Sequence, residues 1–302
     1  MLQTLLIGLA QGSSYALIAL GYTMVYGVLG MINFAHGEIF TLGAYAGILA
    51  LAGGTAMGIT TAHPLAALVL AGGIAVLVCA AHSVAVERIA YRPLRKAHAL
   101  APLISAIGMS IFLQNYLQMT QGTDNKVFPH AVRAVFEGAP MMGGALSRVQ
   151  AVILAASLSC MLALHLLITR TKAGRAMRAV SQDPAMAALC GVDVDRTISG
   201  TFALGSALAA AGGVLVALNY GSAQPYMGYQ VGLKAFTAAV LGGIGSVPGA
   251  MLGGLLLGVI EALGSAFLPV PEYKDALAFL VLLAVLLVKP SGLMGEKAAV
   301  KV

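Results

Sequence analysis

Eight apolar runs, seven of them close to or above the length of a membrane-crossing helix, dominate the chain and leave few ways for it to fold. A helix needs about 20 mainly apolar residues to cross a hydrocarbon core roughly 30 Å thick. The runs fall at 5–29, 40–58, 64–86, 101–119, 150–168, 198–218, 231–267 and 276–288. The seventh is long and broken by glycine, and the last is the shortest. Only 9% of the 302 residues are charged and 59% are hydrophobic, against about 25% charged in a soluble domain. Such a surface cannot face water all round. The expectation is an all-α polytopic membrane bundle of about eight helices with Gly/Pro-broken segments, forming one domain over 1–302.

The formal net charge of +6 does not point to nucleic acid, because the basic residues sit in short clusters between the runs, where they read as topology signals. Segment 87–101 carries Arg88, Arg92, Arg95 and Lys96, segment 169–197 carries Arg170, Lys172, Arg175, Arg178 and Arg196, and the tail carries Lys289, Lys297 and Lys301. Twelve of the seventeen basic residues are thus in three regions, which are expected to be cytoplasmic, with the C-terminus among them. Lys126, Arg133, Arg148, Lys234 and Lys274 lie in the alternating segments, and loop 120–149 is expected outside. Counting spans backward puts the N-terminus outside, although a half-helix near 31–40 would reverse that. Residues 1–10 are apolar without Lys or Arg, so they read as part of the first helix and not as a cleavable leader. The three cysteines, Cys79, Cys160 and Cys190, have no metal-ligand spacing and no even count for a disulfide framework.

Glycine pairs spaced by four, at Gly8/Gly12, Gly43/Gly47, Gly54/Gly58, Gly249/Gly253 and Gly254/Gly258, predict close helix contacts, since small residues let backbones approach in lipid. Two places interrupt the apolar pattern. Asn33-Phe34-Ala35-His36-Gly37-Glu38 follows the first run, and Leu241 to Gly249 breaks the seventh with Gly242, Gly243, Gly245 and Ser246. Irregular backbone at membrane depth survives only beside protein or a water-filled cavity, and discontinuous helices mark a transporter's path. Asn33, His36, Glu38, Gly242, Gly243, Gly245, Ser246 and Glu261 are therefore the candidate path residues. Glu38 and Glu261 are suited to pairing with a histidine or to meeting a substrate ammonium. Helix-to-helix hydrogen bonding is the plainer reading, and it is preferred for His82 and His165. A Tyr/Gly-rich approach precedes each interruption (Gly21 to Gly27, and Tyr220 to Tyr229), which hints at two related halves.

Segment 171–192 is the most informative stretch. Asp183 before Pro184 is a strong helix start: the carboxylate caps free N–H groups, and proline at the first position has none to satisfy. Gly191 is a natural stop. The expectation is a short helix of about two turns after a basic helix around 174–181. So short a helix is unstable alone in water, so it needs a docking surface, in a partner's groove or on the membrane.

Four motifs together carry a family resemblance. Leu17 to Gly27 with Ile32 to Glu38 resembles the opening of LivH-type permeases of branched-chain amino acid ABC importers. Gly174-Arg175-Ala176-Met177-Arg178-Ala179, Gln182-Asp183-Pro184 and Ala188 to Val192 resemble that family's cytoplasmic coupling loop. Gly242 to Ala250 and Lys289 to Gly295 match as well. The resemblance implies a bacterial inner-membrane permease paired with a second related permease, two cytoplasmic ATPases and a periplasmic binding protein. It assigns ATPase coupling to segment 169–197 through Gly174, Arg175, Arg178, Gln182, Asp183, Pro184 and Gly191. No Gly-x-x-x-x-Gly-Lys-Ser/Thr occurs, so no P-loop is present. No cofactor, metal site or catalytic residue is expected in this chain, and ATP is expected to be used by partner subunits. Urea, short amides, other amino acids or a sugar are alternative solutes. An ion-coupled carrier, an intramembrane serine enzyme and a purely structural subunit are weaker alternatives, for want of paired relay carboxylates and of a Gly-x-Ser-x-Gly.

Overall fold

The computed structural model describes residues 1–95, 97–98, 100–138, 146–268, 270 and 273–295; Lys96, Lys297 and Lys301 of the basic clusters lie outside them. Its helices are α1 (Leu2–Leu29), α2 (His36–Ala56), α3 (Ile59–Ala62), α4 (Pro64–Val86), α5 (Leu100–Gln121), α6 (His130–Phe136), α7 (Arg148–Arg170), α8 (Lys172–Gln182), α9 (Pro184–Leu189), α10 (Val194–Tyr220), α11 (Met227–Gly242), α12 (Val247–Phe267) and α13 (Lys274–Val288). Strands β1 (Lys126–Val127) and β2 (Ser222–Ala223) make one antiparallel pair. Among the described residues seven helices are long and apolar enough to cross a membrane: α1, α2, α4 with its continuation to Leu94, α5, α7, α10 and α12. The chain is a multi-pass helical membrane protein.

The expected seventh span resolves into two helices. Gly242 faces Gly249 and Ala238 faces Gly253, so α11 and α12 form an antiparallel hairpin. Its turn, 243–246, uses positive φ at Gly243 (108°) and Gly245 (93°), a conformation that costs glycine little. The C-terminal segment docks on this turn: the Leu293 and Met294 N–H groups donate to the Leu241 and Gly242 carbonyls at 2.9 and 2.8 Å. At 16 and 15 residues, α11 and α13 are about 24 and 22 Å long, shorter than a full crossing.

The two halves do exist, but they pair differently from the Tyr/Gly expectation. The α1 helix ends at Gly30 (φ 67°), and α2 starts six residues later; α10 ends at Gly221 (φ 74°), and α11 starts six residues later. Turn 30–36 thus matches 221–227, not 241–249. The packing repeats too. The α2 helix lies on α10 and α4, while α11 lies on α1 and α12; α4 packs on α10 as α12 packs on α1; α5 packs on α2 as α13 packs on α11. Helix α7 stands outside the repeat, against α1 and α10.

Glycine contacts fix the directions. Gly8 meets Val259 and Ala262, and Gly12 meets Leu255, so α1 and α12 are antiparallel. Gly43 meets Ala210 and Gly47 meets Val214, so α2 and α10 are parallel. Gly245 and Val247, which open α12, share one face with α8 residues Met177 and Arg178. On this basic face α10 and α12 begin and α1 and α11 end, so the second half is inverted relative to the first. Four of the five glycine pairs serve as expected. Gly54/Gly58 does not: Gly58 (φ 75°) turns the chain into α3, and Gly54 faces the Thr60 hydroxyl.

Both α2 and α11 start inside the bundle. His36 lies under Gly21, eight residues before the end of α1 and so about 12 Å deep along that helix. Gly228, in the first turn of α11, lies against Gly37 and Thr41 in the first turns of α2. The non-helical lead-ins are satisfied by protein, as irregular backbone in a membrane must be. The Asn33 Oδ1 accepts from the Ala35 N–H at 3.1 Å and the Tyr91 hydroxyl at 2.6 Å. On the other side β2 pairs with β1, and the Phe128 N–H donates to the Gly221 carbonyl at 2.9 Å.

Candidate translocation cavity and coupling surface

Where the two half-helices meet, a cavity of about 220 Å³ opens between α1, α2, α5 and α11. The Glu38 side chain lines it from the first turn of α2 and is only 4% exposed. Its Oε1 is 3.4 Å from the Ser110 hydroxyl, and among the described residues its Oε2 has no partner. Ser110 and Gln114 of α5 add polar groups, while Phe34, Ile107, Ile111, Leu233 and Phe236 make the rest largely apolar. Gly228 and Gly232 bring the α11 backbone to the wall.

The other candidate path residues are dispersed. Asn33 is spent on the α2 lead-in. His36 is buried under Gly21, with its ring 5.0 Å from that of Tyr22 in an edge arrangement. Gly242, Gly243, Gly245 and Ser246 lie at the basic end of the α11–α12 hairpin, where the Ser246 hydroxyl caps α12 through the Gly249 N–H at 3.2 Å. They do not reach the cavity. The sequence marks a glycine break but not its depth, and here the break falls at a hairpin tip.

Glu261 meets a lysine, not a histidine. Lys234 Nζ is 3.0 Å from it and 2.7 Å from Asp275. The Tyr15 hydroxyl donates to Glu261 at 2.8 Å, and the Gln11 amide does so at 3.0 Å. Lys234, which falls in the seventh apolar run, lies within α11. It ties that half-helix to α12 and α13.

A second network lies on the basic face. The Glu87 carboxylate, fully buried, pairs with Arg95, and Arg92 and Arg95 both pair with Asp195 at the start of α10. The Ser199 hydroxyl donates to Glu87 at 2.7 Å. Asp195 and Ser199 escape a sequence reading because each arginine is accounted for as a topology signal and these two partners lie about 100 positions further along the chain. Tyr91 and Ser110 carry no signal either; only the folded contacts reveal them.

Segment 171–192 takes the expected form. The Thr171 hydroxyl caps α8 through the Gly174 N–H at 3.1 Å, and Gly174 packs on the Ile168 backbone. Gly174, Met177 and Val180 face inward, whereas Arg175, Arg178 and Gln182 are exposed; Arg178 also reaches the Ile168 carbonyl. Asp183 Oδ1 accepts from the Ala185 and Met186 N–H groups at 2.8 and 3.0 Å, with Pro184 opening α9. Gly191 (φ 81°) ends it, and the Val192 N–H closes on the Ala187 carbonyl at 3.0 Å. Only Ala187 of α9 is buried, which leaves Met186 57% and Leu189 81% exposed. Among the described residues no group of three or more His, Cys, Asp or Glu side chains is placed to hold a metal ion.

Residues 4–286 match the family model described as branched-chain amino acid transport system / permease component. The chain belongs to this family. It is 48% identical over 307 residues to the high-affinity branched-chain amino acid transport system permease protein LivH of Salmonella typhimurium, covering 100% of this chain and 97% of that one. LivH of Escherichia coli K12 matches at the same identity and coverage. BraD of Pseudomonas aeruginosa PAO1, named as a permease of the same kind of system, is 47% identical over 303 residues, with 100% and 98% covered. All three are transport permeases, and the chain is a transport permease of this family.

Proposed function

We propose that this chain is a membrane subunit of an ATP-driven importer for leucine, isoleucine and valine in the bacterial inner membrane. The observation that carries the reading is the identity of nearly half, sustained from end to end, with the LivH permeases. The importer pairs this chain with a second related permease, two ATPases and a periplasmic binding protein. The basic face, with α8, α9 and the C-terminus, is cytoplasmic, in keeping with its excess of Arg and Lys.

In this reading α8 and α9 form the surface on which an ATPase rests. The α9 helix has six residues, too few to be stable alone. Its two bulky apolar side chains, Met186 and Leu189, point away from the bundle and suit a groove in a cytoplasmic partner. Gly174, Arg175, Arg178, Gln182, Asp183, Pro184 and Gly191 shape and present this surface. ATP is bound and hydrolysed by the partner, and this chain holds no cofactor. Glu38 and the cavity around it lie on the solute's path, while Asn33, His36, Gly242, Gly243, Gly245, Ser246 and Glu261 hold the half-helices that frame it.

The test is purification of the tagged chain in mild detergent, with companions identified by mass spectrometry, alongside uptake of radiolabelled leucine in cells lacking their own importer. Two Walker-motif ATPases, a second permease and restored leucine uptake are expected. Recovery of the chain alone, with no uptake, would contradict the proposal.

A further inference from the structure

Among the described residues that line the cavity, Glu38 is the only one with an ionisable carboxyl or a basic group. A carboxylate buried at membrane depth is costly unless it meets a cation. Lys234, the only lysine or arginine on the four helices around the cavity, is engaged by Glu261 and Asp275. Glu38 also sits in the first turn of α2, where the positive end of the helix favours its ionised form. The cavity therefore holds a carboxyl group with one oxygen free and no lysine or arginine to match it.

The second feature is the start of α11. No side chain caps it, and Gly228 and Tyr229 of its first turn line the same cavity. The N–H groups of a helix's first turn have no intrahelical partner, so they offer an anion site. Opposite charges are thus wanted at two points of one small space, with Phe34, Ile107 and Phe236 beside them.

We propose that this cavity is a binding site for a single α-amino acid zwitterion. Glu38 takes the ammonium, the first-turn N–H groups of α11 take the carboxylate, and the aromatic and aliphatic wall takes the side chain. The site discriminates on the amino-acid backbone itself, inside one permease chain. The inference rests on the importer reading and adds to it a ligand and an orientation.

The test is binding of tritiated leucine to the assembled complex in lipid nanodiscs without the binding protein, competed by unlabelled leucine, 3-methylbutylamine and 4-methylpentanoate. The two analogues lack the carboxylate and the ammonium respectively. Each is expected to compete at least tenfold more weakly than leucine, and Glu38→Gln is expected to weaken leucine binding at least tenfold. Wild-type binding by Glu38→Gln, or 4-methylpentanoate competing as well as leucine, would overturn the site. No leucine binding by a complex that imports leucine normally would overturn it too and leave the importer reading standing. Normal zwitterion binding with no ATP-dependent uptake would instead overturn the importer reading alone.

Discussion

Glu38 and Glu261 are both carboxylates buried at membrane depth, 4% and 1% exposed, yet their surroundings differ in kind. Glu261 is held by Lys234, Tyr15 and Gln11, and Asp275 shares the lysine. Glu38 has one long contact, from Ser110, and faces open space. Burial by itself therefore says little about role. A buried charge whose partners are all protein fixes helices in place; on the proposed reading, one whose partner is missing has a place for a solute. The inverted repeat sharpens the contrast, because Glu38 on α2 corresponds to Tyr229 on α11, at the same position after the matching turn. One half-helix brings a carboxylate to the cavity, and the other brings backbone N–H groups.

The largest effect that this contrast predicts comes from Lys234→Met. It leaves Glu261 buried without its cation, which costs about 3–5 kcal/mol. Thermal unfolding in detergent is expected to show a sharp loss of folded protein, whereas Glu38→Gln should leave the unfolding temperature close to wild type. Next is Gly228→Val at the crossing of the half-helices, where an added Cβ meets the Gly37 carbonyl carbon at 2.9 Å. Overpacking there costs about 1–3 kcal/mol and is expected to abolish uptake. Gly108→Ala on α5, with nothing within 4 Å, serves as the control and should retain wild-type uptake and stability.

Smaller effects are expected further from the cavity. Asp183→Ala with Pro184→Gly removes a cap worth about 1 kcal/mol. The complex should still assemble, with ATP hydrolysis uncoupled from uptake; wild-type transport would show that α9 does not couple. Tyr91→Phe loses the 2.6 Å hydrogen bond to Asn33, worth about 1 kcal/mol. It should lower the unfolding temperature slightly and uptake only in proportion.

The sequence carried the fold class and the local form of α8 and α9 because both rest on local chemistry. Apolar length gives the spans, and Asp183, Pro184 and Gly191 mark the ends of α9 without tertiary help. The half-helices were legible only in part. Asn33 to Glu38 announced the start of α2, but the matching start of α11 falls in the Tyr/Gly-rich stretch 220–229, which reads only as an approach to the louder glycine cluster at 242–249, a hairpin tip. Partners of buried charges were not legible at all. Lys234 finds Glu261 and Asp275, and Glu87 finds Ser199, through helix packing that no spacing in one chain encodes.

The most direct test of the central distinction is leucine uptake by Glu38→Gln and Glu261→Gln, each divided by the amount of folded protein in the membrane. The account predicts that Glu38→Gln keeps wild-type abundance and loses uptake per molecule, while Glu261→Gln loses abundance and keeps uptake per surviving molecule. Loss of uptake by Glu38→Gln only in proportion to lost protein would contradict it and make Glu38 a packing residue like its counterpart.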